Sequence, residues 1–587
     1  MLALRLTLAS LGLLAHSAFV SGASSPFDFD LAIIGGGSGG YAAARTAAAE
    51  GLKTVVIEGA EEVGGLCILR GCMPTKALLY AAEVMHLTSH ARAWGIHAPE
   101  VSFNFGEVMG RKNALIQEFA DFRRQELASG KFTFLRARAR FADAHTLELT
   151  RPAGLRIQAD DDERPSAAFG HGPRGYRDET ASSPQPSPPE EERERAAGPS
   201  ELGGTRRAEI SGGSRPATKE RGEGSPSSIV PLGAGRRVEG EGLRKLTAKH
   251  FIIATGSTIA PSPLAQLNDL DCLNSDSALK LERLPKSLIV LGGGAVAVEF
   301  AQFFARFGVR VTMIQRSSHI MHEFDFDASS ELESVFRREG ITLYTGTRLL
   351  DARIVSAQKE ITFLHNDQRV RVQAEEAFFA LGRIPSLAGL GLEKIGVQAD
   401  SNRIITDAQM RTSVPHVYAA GDCTGPHEIV HLAVQQGEIA AHNAAHPDRM
   451  KQMDYRLLTE VIFTEPQIAT VGLTEKRARA DNIPYLAASY RFRDHGKSLI
   501  MEARDGFVKL LADPLTAEII GGCCVGPLGG ELIHEIIVAM HSRMTVHQLA
   551  ALPHYHPTLA EIWTYPAEEL AAKIPKGDSP CQVRRSR

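Results

Sequence analysis

Cysteine is scarce in this 587-residue chain: seven residues are too few for a disulfide scaffold. Such scarcity fits a reducing compartment, where one closely spaced pair matters more than the total. An excess of charge is missing too. The formal net charge of −4 gives no reason to expect nucleic acid or an anionic membrane as a partner. Beyond the N-terminus no apolar run reads as a membrane span, so no stable membrane insertion is expected. What is present, 43% hydrophobic and 23% charged residues, is the balance of a soluble globular protein. The length allows several domains with substantial cores.

The N-terminus, MLALRLTLASLGLLAHSAFVSGASS, has one early Arg, an apolar middle and small residues near its end. Three readings stay open for residues 1–27: a secretory signal, a disordered or organelle-targeting extension, and an overextended reading frame. The positive region is thin and twin arginines are lacking. Ser10, His16 and Ser17 interrupt the apolar stretch, which argues against a transmembrane helix. A cytoplasmic location is favoured, with export or organelle targeting as the alternative.

Two segments have the form of nucleotide cradles. In the first, the apolar strand Leu31 to Ile34 runs into Gly35, Gly37 and Gly40, then an Ala-rich helix, then a second apolar run from Thr54 to Ile57 ending at Glu58. This order predicts a βαβ unit whose glycines permit a tight turn and bring pyrophosphate close to the helix N-terminus. Glu58 would accept hydrogen bonds from the adenosine ribose. In the second, Gly292 and Gly294 follow an apolar strand, Ala297 holds the close-packing position, and the strand Val309 to Ile314 ends at Gln315. A carboxylate missing at Gln315, with Arg316 next and His319 nearby, spares a ribose 2′-phosphate from repulsion. NADP(H) is therefore favoured over NAD(H), although Arg316 also reads as a solvated surface charge.

Between the cradles lies GGLCILRGCMPTKALL, residues 64–79. Four residues separate Cys67 from Cys72. In an undistorted helix five steps rise about 7.5 Å, and a disulfide needs Cα atoms roughly 4.4–6.8 Å apart. The segment must therefore turn or distort if the pair closes, and Gly71 lowers the cost. Pro74 suits the first turn of a helix continuing through Lys76. A helix start at Cys72 would favour its thiolate. A zinc half-site or two buried small hydrophobes remain alternatives, but no second close pair supplies zinc with a partner site. Cys523 and Cys524 are adjacent and lack that spacing. No metal centre is expected.

At this point the chain resembles the class I pyridine nucleotide–disulfide oxidoreductase family, whose members include dihydrolipoyl dehydrogenase, glutathione reductase and mercuric reductase. The resemblance covers residues 28–160 and 243 to about 575. It rests on GGGSGG at 35–40, the Cys motif, LTAKHFIIATGS at 246–257, GGGAVAVE at 292–299, ALGRIP at 380–385, VYAAGDC at 417–423 and HPTLAE at 556–561. It implies an α/β fold: two Rossmann-like domains binding FAD and NAD(P), with a C-terminal α+β dimerisation domain. The expected divisions are an FAD-binding domain at 28–160 and 243–280, an NAD(P)-binding domain at 281–383, a central FAD-associated domain at 384–455 and a dimerisation domain at 456–575. Residues 161–242, rich in Pro, Gly, Ser and charge, are expected to form a disordered, nonessential insertion. Residues 576–587 form a tail.

The resemblance also implies roles for single residues. Cys67 resembles the thiol that exchanges with substrate, and Cys72 the thiol that faces FAD as its charge-transfer partner. Lys76 resembles the lysine near the reactive flavin nitrogen, and Glu299 its ion-pair partner beside the nicotinamide. Asp422, with Gly421 before it, resembles the carboxylate at the FAD ribityl-phosphate region. Thr255, Gly256, Gly382 and Arg383 fall in the motifs that line the cofactors. His556 and Glu561 resemble the acid–base pair, since imidazole accepts a thiol proton near neutral pH and a carboxylate fixes its orientation. His554 lies outside the resembling position and is assigned no role.

In a homodimer His556 and Glu561 would enter the site around the other subunit's Cys67 and Cys72. The expected substrate is a small-molecule or protein-bound dithiol or disulfide, handled in a dihydrolipoyl dehydrogenase-like way. A mercuric reductase-like or glutathione reductase-like NADPH-dependent enzyme is the alternative. The mercuric reading is weakened because the tail carries only Cys581. A slowly turning flavoprotein redox sensor is the non-enzyme alternative.

Overall fold

The computed structural model describes residues 26–98, 100–150, 244–401 and 403–575. The N-terminal extension up to residue 25, the insertion 161–242 and the tail with Cys581 fall outside the described residues. The first sheet is built on β1 (Phe29–Ile34), β2 (Thr54–Glu58) and β3 (Thr133–Arg136), all parallel. On the other side of β1 lies β6 (Arg244–Ile253), also parallel, and β6 pairs in turn with β16 (Val417–Ala419). A hairpin of β4 (Arg138–Asp143) and β5 (Thr146–Thr150) completes the order β3-β2-β1-β6-β5-β4. All of β2 is buried, as apolar runs are when helices cover both faces of a parallel sheet. β1 begins two residues before its apolar run because the Asp30 N–H donates to the Lys53 carbonyl at 2.9 Å and its carboxylate accepts from the Lys53 N–H.

β5 and β6 are antiparallel neighbours, with Leu149 opposite Arg244. The chain therefore leaves one strand and re-enters the next at adjacent ends. An addition between them costs no strand pairing and little closure entropy.

The second parallel sheet has the order β10-β9-β8-β14, from β8 (Ser287–Leu291), β9 (Arg310–Ile314), β10 (Thr342–Tyr344) and β14 (Glu376–Phe379). An antiparallel sheet of β11 (Arg348–Val355), β12 (Gln358–His365) and β13 (Gln368–Ala374) is intercalated in sequence before β14. The short strands β7 (Ser257–Ile259) and β15 (Arg383–Pro385) pair antiparallel. They join the ends of the first and second sheet segments.

The C-terminal sheet is antiparallel throughout, in the order β17-β18-β21-β20-β19. Its strands are β17 (Thr459–Ile462), β18 (Gln467–Gly472), β19 (Leu486–Arg491), β20 (Phe507–Ala512) and β21 (Ile519–Gly526). Ile533 and Ile536 of the helix Gly529–His541 share its core with Trp563. Trp563 is fully buried, and its indole N–H is satisfied by the Leu532 carbonyl at 3.1 Å. The fold is thus α/β with two Rossmann-like units and a C-terminal α+β unit.

Candidate active site

Cys67 lies in the short helix Gly65–Leu69, and Cys72 is the first residue of the helix Cys72–Ser89. The break at Arg70 and Gly71 is the distortion that the spacing demanded. It lets the Cys67 thiol donate to the Cys72 sulfur, and this hydrogen bond is the main reason that Cys72 falls from an ordinary 9.0 to about 7. The Lys76 ammonium adds to the fall, while burial and Glu299 oppose it. Cys67 moves the other way, raised by the same hydrogen bond and by burial, against the pull of Arg123 and Lys76. The negative charge of the reduced pair therefore rests on Cys72 and the proton on Cys67. Alkylation of Cys72 in the reduced protein should rise to half its plateau rate near pH 7 and fall away below it, followed by mass spectrometry. Lys76→Met should move that midpoint upward; an unchanged midpoint would show that the ammonium plays no part.

Four residues after Cys72, Lys76 sends its Nζ to both carboxylate oxygens of Glu299, at 2.8 and 3.0 Å. Glu299 is buried in the helix Ala295–Arg306 and also accepts from the Phe463 N–H at 2.9 Å. The ammonium stands 4.5 Å from the centre of the Phe463 ring. Three separate segments thus hold one charge pair beside the thiols. A buried carboxylate kept in this way stays paired and hydrogen-bonded, which is the condition for tolerating its charge.

Both cradles have the shape that a dinucleotide needs. Gly35 has φ +109, and a Cβ there would stand 2.3 Å from the Ala254 carbonyl oxygen. In the second cradle Gly292 repeats this against Ala380, also at 2.3 Å. The helices Ser38–Ala49 and Ala295–Arg306 start at Gly37 and Gly294 with no side-chain cap, so their first N–H groups are free to meet phosphate oxygens. At Gly294 a Cβ would meet nothing within 4 Å, so open space faces that turn. Gly40 and Ala297 are buried at the close-packing positions of their helices.

Glu58 and Gln315 hold equivalent places. Glu58 accepts from the N–H groups of Gly36 at 2.9 Å and Ala60 at 2.7 Å. Gln315 lies against Gly293 in the same way, accepts from the Arg316 N–H at 3.0 Å, and leaves the Arg316 side chain exposed. Between the cradles, Asp422 accepts from the Ser257 hydroxyl at 2.7 Å, and Arg383 donates to that hydroxyl at 2.8 Å and to the Ser257 carbonyl at 2.9 Å. Gly421 donates to Gln436 at 2.8 Å, and Gly256 and Gly382 both have positive φ. The Thr255 hydroxyl is buried without a protein partner, an unmet group that a bound cofactor would satisfy. These residues fit FAD in the first cradle and a nicotinamide dinucleotide in the second.

His556 donates its Nδ1 proton to Glu561, at 2.9 and 3.1 Å from the two oxygens. Its side chain is 76% exposed, whereas Glu561 is buried. The ring's other nitrogen therefore faces outward. Sequence reading missed a further member. His495, fully buried, donates from Nε2 to Glu561 at 3.2 Å, with the Ser498 hydroxyl 2.8 Å from its Nδ1. Burial lowers the pKa of His495 and keeps the ring neutral, although Glu561 pulls it the other way. No spacing links RFRDHGKS to HPTLAE, so only the folded chain brings them together. Arg123 was also missed; it stacks on the Tyr41 ring at 4.1 Å with Nε and Nη1 buried and unpaired.

Known proteins with this arrangement are numerous. The profile described as pyridine nucleotide–disulphide oxidoreductase matches residues 29–161 and 226–437, and that of the family's dimerisation domain matches residues 458–567. A dihydrolipoyl dehydrogenase of Bacillus subtilis is 30% identical over 543 residues, covering 91% of this chain and 96% of its own. The mitochondrial dihydrolipoyl dehydrogenase of Schizosaccharomyces pombe is 28% identical, covering 92% and 89%. Among solved structures, LpdA of Mycobacterium tuberculosis superposes with a TM-score of 0.71 at 24% identity, covering 92% of this chain and 99% of that one. Its likeness bears on the fold alone. The dimerisation domain supports a homodimer, and among the described residues no helix is long and apolar enough to cross a membrane. The chain belongs to the class I pyridine nucleotide–disulphide oxidoreductases, FAD-dependent enzymes that move electrons between a nicotinamide cofactor and a disulfide.

Proposed function

We propose that the protein exchanges electrons between NADP(H) and a small-molecule or protein-bound dithiol or disulfide of the dihydrolipoyl class, through Cys67 and Cys72. The observation that carries this reading is the placement of Cys67 and Cys72 on either side of the helix break, with the Lys76–Glu299 pair beside them. Bound FAD supplies the passage of an electron pair between the nicotinamide and the thiols. The rest is done by side chains. A protonated Cys67 needs a base before it can attack, and His556, steered by Glu561, takes that proton. The Cys67 thiolate then attacks one sulfur of the oxidised substrate and forms a mixed disulfide. The departing thiolate takes the proton back from His556. Cys72 attacks Cys67, closes the protein disulfide and frees the second substrate sulfur as a thiolate, which takes a proton from solvent. Two electrons leave the pair for each substrate disulfide opened, and the reverse sequence oxidises a dithiol. Lys76 and Glu299 hold a fixed charge pair beside Cys72 throughout.

His556 reaches the thiols of the other subunit in this reading. Its outward exposure supports it, as does the apolar face that Tyr80, Val84 and Leu87 expose on the Cys72–Ser89 helix itself. The coenzyme preference rests on Gln315 and Arg316 alone. Arg316→Ala should raise KM for NADPH by about tenfold or more, the worth of charge-assisted hydrogen bonds, with KM for NADH little changed. A parent protein that turns over faster with NADH would reverse the preference. The substrate class is tested by steady-state turnover of dihydrolipoamide, oxidised glutathione and Hg(II), each with both coenzymes. No turnover with any of them, despite bound FAD and reducible thiols, would favour a redox sensor.

A further inference from the structure

Two helices pack side by side outside the thiol site, and their C-terminal ends meet. The helix Ser38–Ala49, which starts at the first cradle, lies in backbone contact with the helix Val430–Ala445: a Cβ on Gly437 would stand 2.2 Å from the Gly39 carbonyl oxygen. Glu50 caps the C-terminus of the first, and His442 and His446 stand one turn apart at the C-terminus of the second. His442 Nδ1 lies 3.1 Å from Glu50 Oε1, and His446 Nε2 lies 2.8 Å from Glu50 Oε2. One ligand atom from each residue lies within 4.8 Å of the other two. Glu50 is exposed and the two histidines are partly buried, His442 at 14% exposure.

Two observations point to a cation here. Both helices direct their negative ends at the cluster. Lastly, both ring nitrogens of His442 face acceptors, since Nε2 lies 3.2 Å from the Arg449 carbonyl oxygen. A neutral imidazole has one N–H and can serve only one of them. A metal ion on Nδ1 removes the conflict: Nε2–H then donates to the carbonyl, the usual outer partner of a metal-bound histidine.

We propose that Glu50, His442 and His446 form a binding site for a divalent ion of the zinc class. Two imidazoles and one carboxylate suit the borderline metals Zn²⁺, Cu²⁺ and Ni²⁺ rather than Mg²⁺ or Ca²⁺. Water completes the coordination. His446 binds through Nε2 and carries its proton on Nδ1, so the exposed Arg449 guanidinium, now 3.3 Å from that nitrogen, swings into solvent. The ion ties together the ends of two helices, one of which begins at the first cradle. This site is independent of the redox reading.

The test is titration of Zn²⁺ into oxidised, FAD-loaded protein with its remaining thiols blocked, so that Cys67 and Cys72 cannot compete. The double variant His442→Ala/His446→Ala should bind one Zn²⁺ fewer per chain than the parent. Zn²⁺ should raise the parent's thermal midpoint and leave that of the variant unmoved. Glu50→Gln, which keeps the size of the side chain, should weaken the same site at least about tenfold. Equal stoichiometry in parent and both variants, with the ion held at other imidazoles, would overturn the proposal. So would a parent that binds no Zn²⁺ at all.

Discussion

Cys67→Ser is expected to reduce disulfide turnover by at least about 10³-fold while leaving FAD bound at one per chain. A serine hydroxyl supplies no thiolate at neutral pH and forms no mixed disulfide, so the substrate half-reaction has no covalent partner. The cradles that hold FAD do not depend on the sulfur: Gly35, Glu58 and Asp422 are fixed by backbone and side-chain contacts elsewhere. Cys72→Ser should fail differently. Its Cys67 can still attack a substrate disulfide, but nothing closes the cycle, so a stable Cys67–substrate adduct should accumulate and be visible by mass spectrometry. Residual turnover within tenfold of the parent in Cys67→Ser would remove Cys67 from the exchange.

His556→Ala carries the second large effect, a loss of about 10²- to 10⁴-fold in turnover, the range of a positioned acid–base group. In the proposed cycle the base is needed to take the Cys67 proton before attack. Glu561→Gln should cost less, since an amide oxygen can still accept from His556 Nδ1 but supplies no charge. His495→Ala should cost about tenfold, through the loss of one donor to Glu561, with its deficit largest in the pH profile. Rescue by His495→Gln would assign the residue to hydrogen bonding. No change in the profile of His495→Ala would leave it a packing residue.

Co-expression of Cys67→Ser and His556→Ala chains separates the two subunit arrangements. In a twofold dimer whose sites combine both chains, half of the random dimers are mixed and each mixed dimer has one intact site. Activity should therefore return to about a quarter of the parent's. If each site used one chain alone, no mixed dimer would have an intact site and activity would stay absent.

Much of the site was legible in the sequence because its chemistry depends on short spacings. Gly35, Gly37 and Gly40 follow a strand and precede a helix, which is a local pattern, and so is Cys67 with Cys72 and Lys76. The need for a break between the cysteines followed from helix geometry, and Gly71 marked its place. Glu58 and Gln315 could be compared because each ends the second strand of its cradle. Glu299 and Glu561 were reached by resemblance, and the fold supplied the partners that tolerate their burial.

Tertiary structure alone decided two things. Glu561 gained its second donor from His495, which is 66 residues away. Glu50 met His442 and His446 only because two glycine-bearing helices pack at backbone contact, across 392 and 396 residues. The sequence by itself determined the cradles, the redox pair and the family, since these are written within single βαβ or strand–helix segments. Long-range packing decided the support of Glu561 and the surface cluster, because those depend on groups that share a place without sharing a stretch of chain.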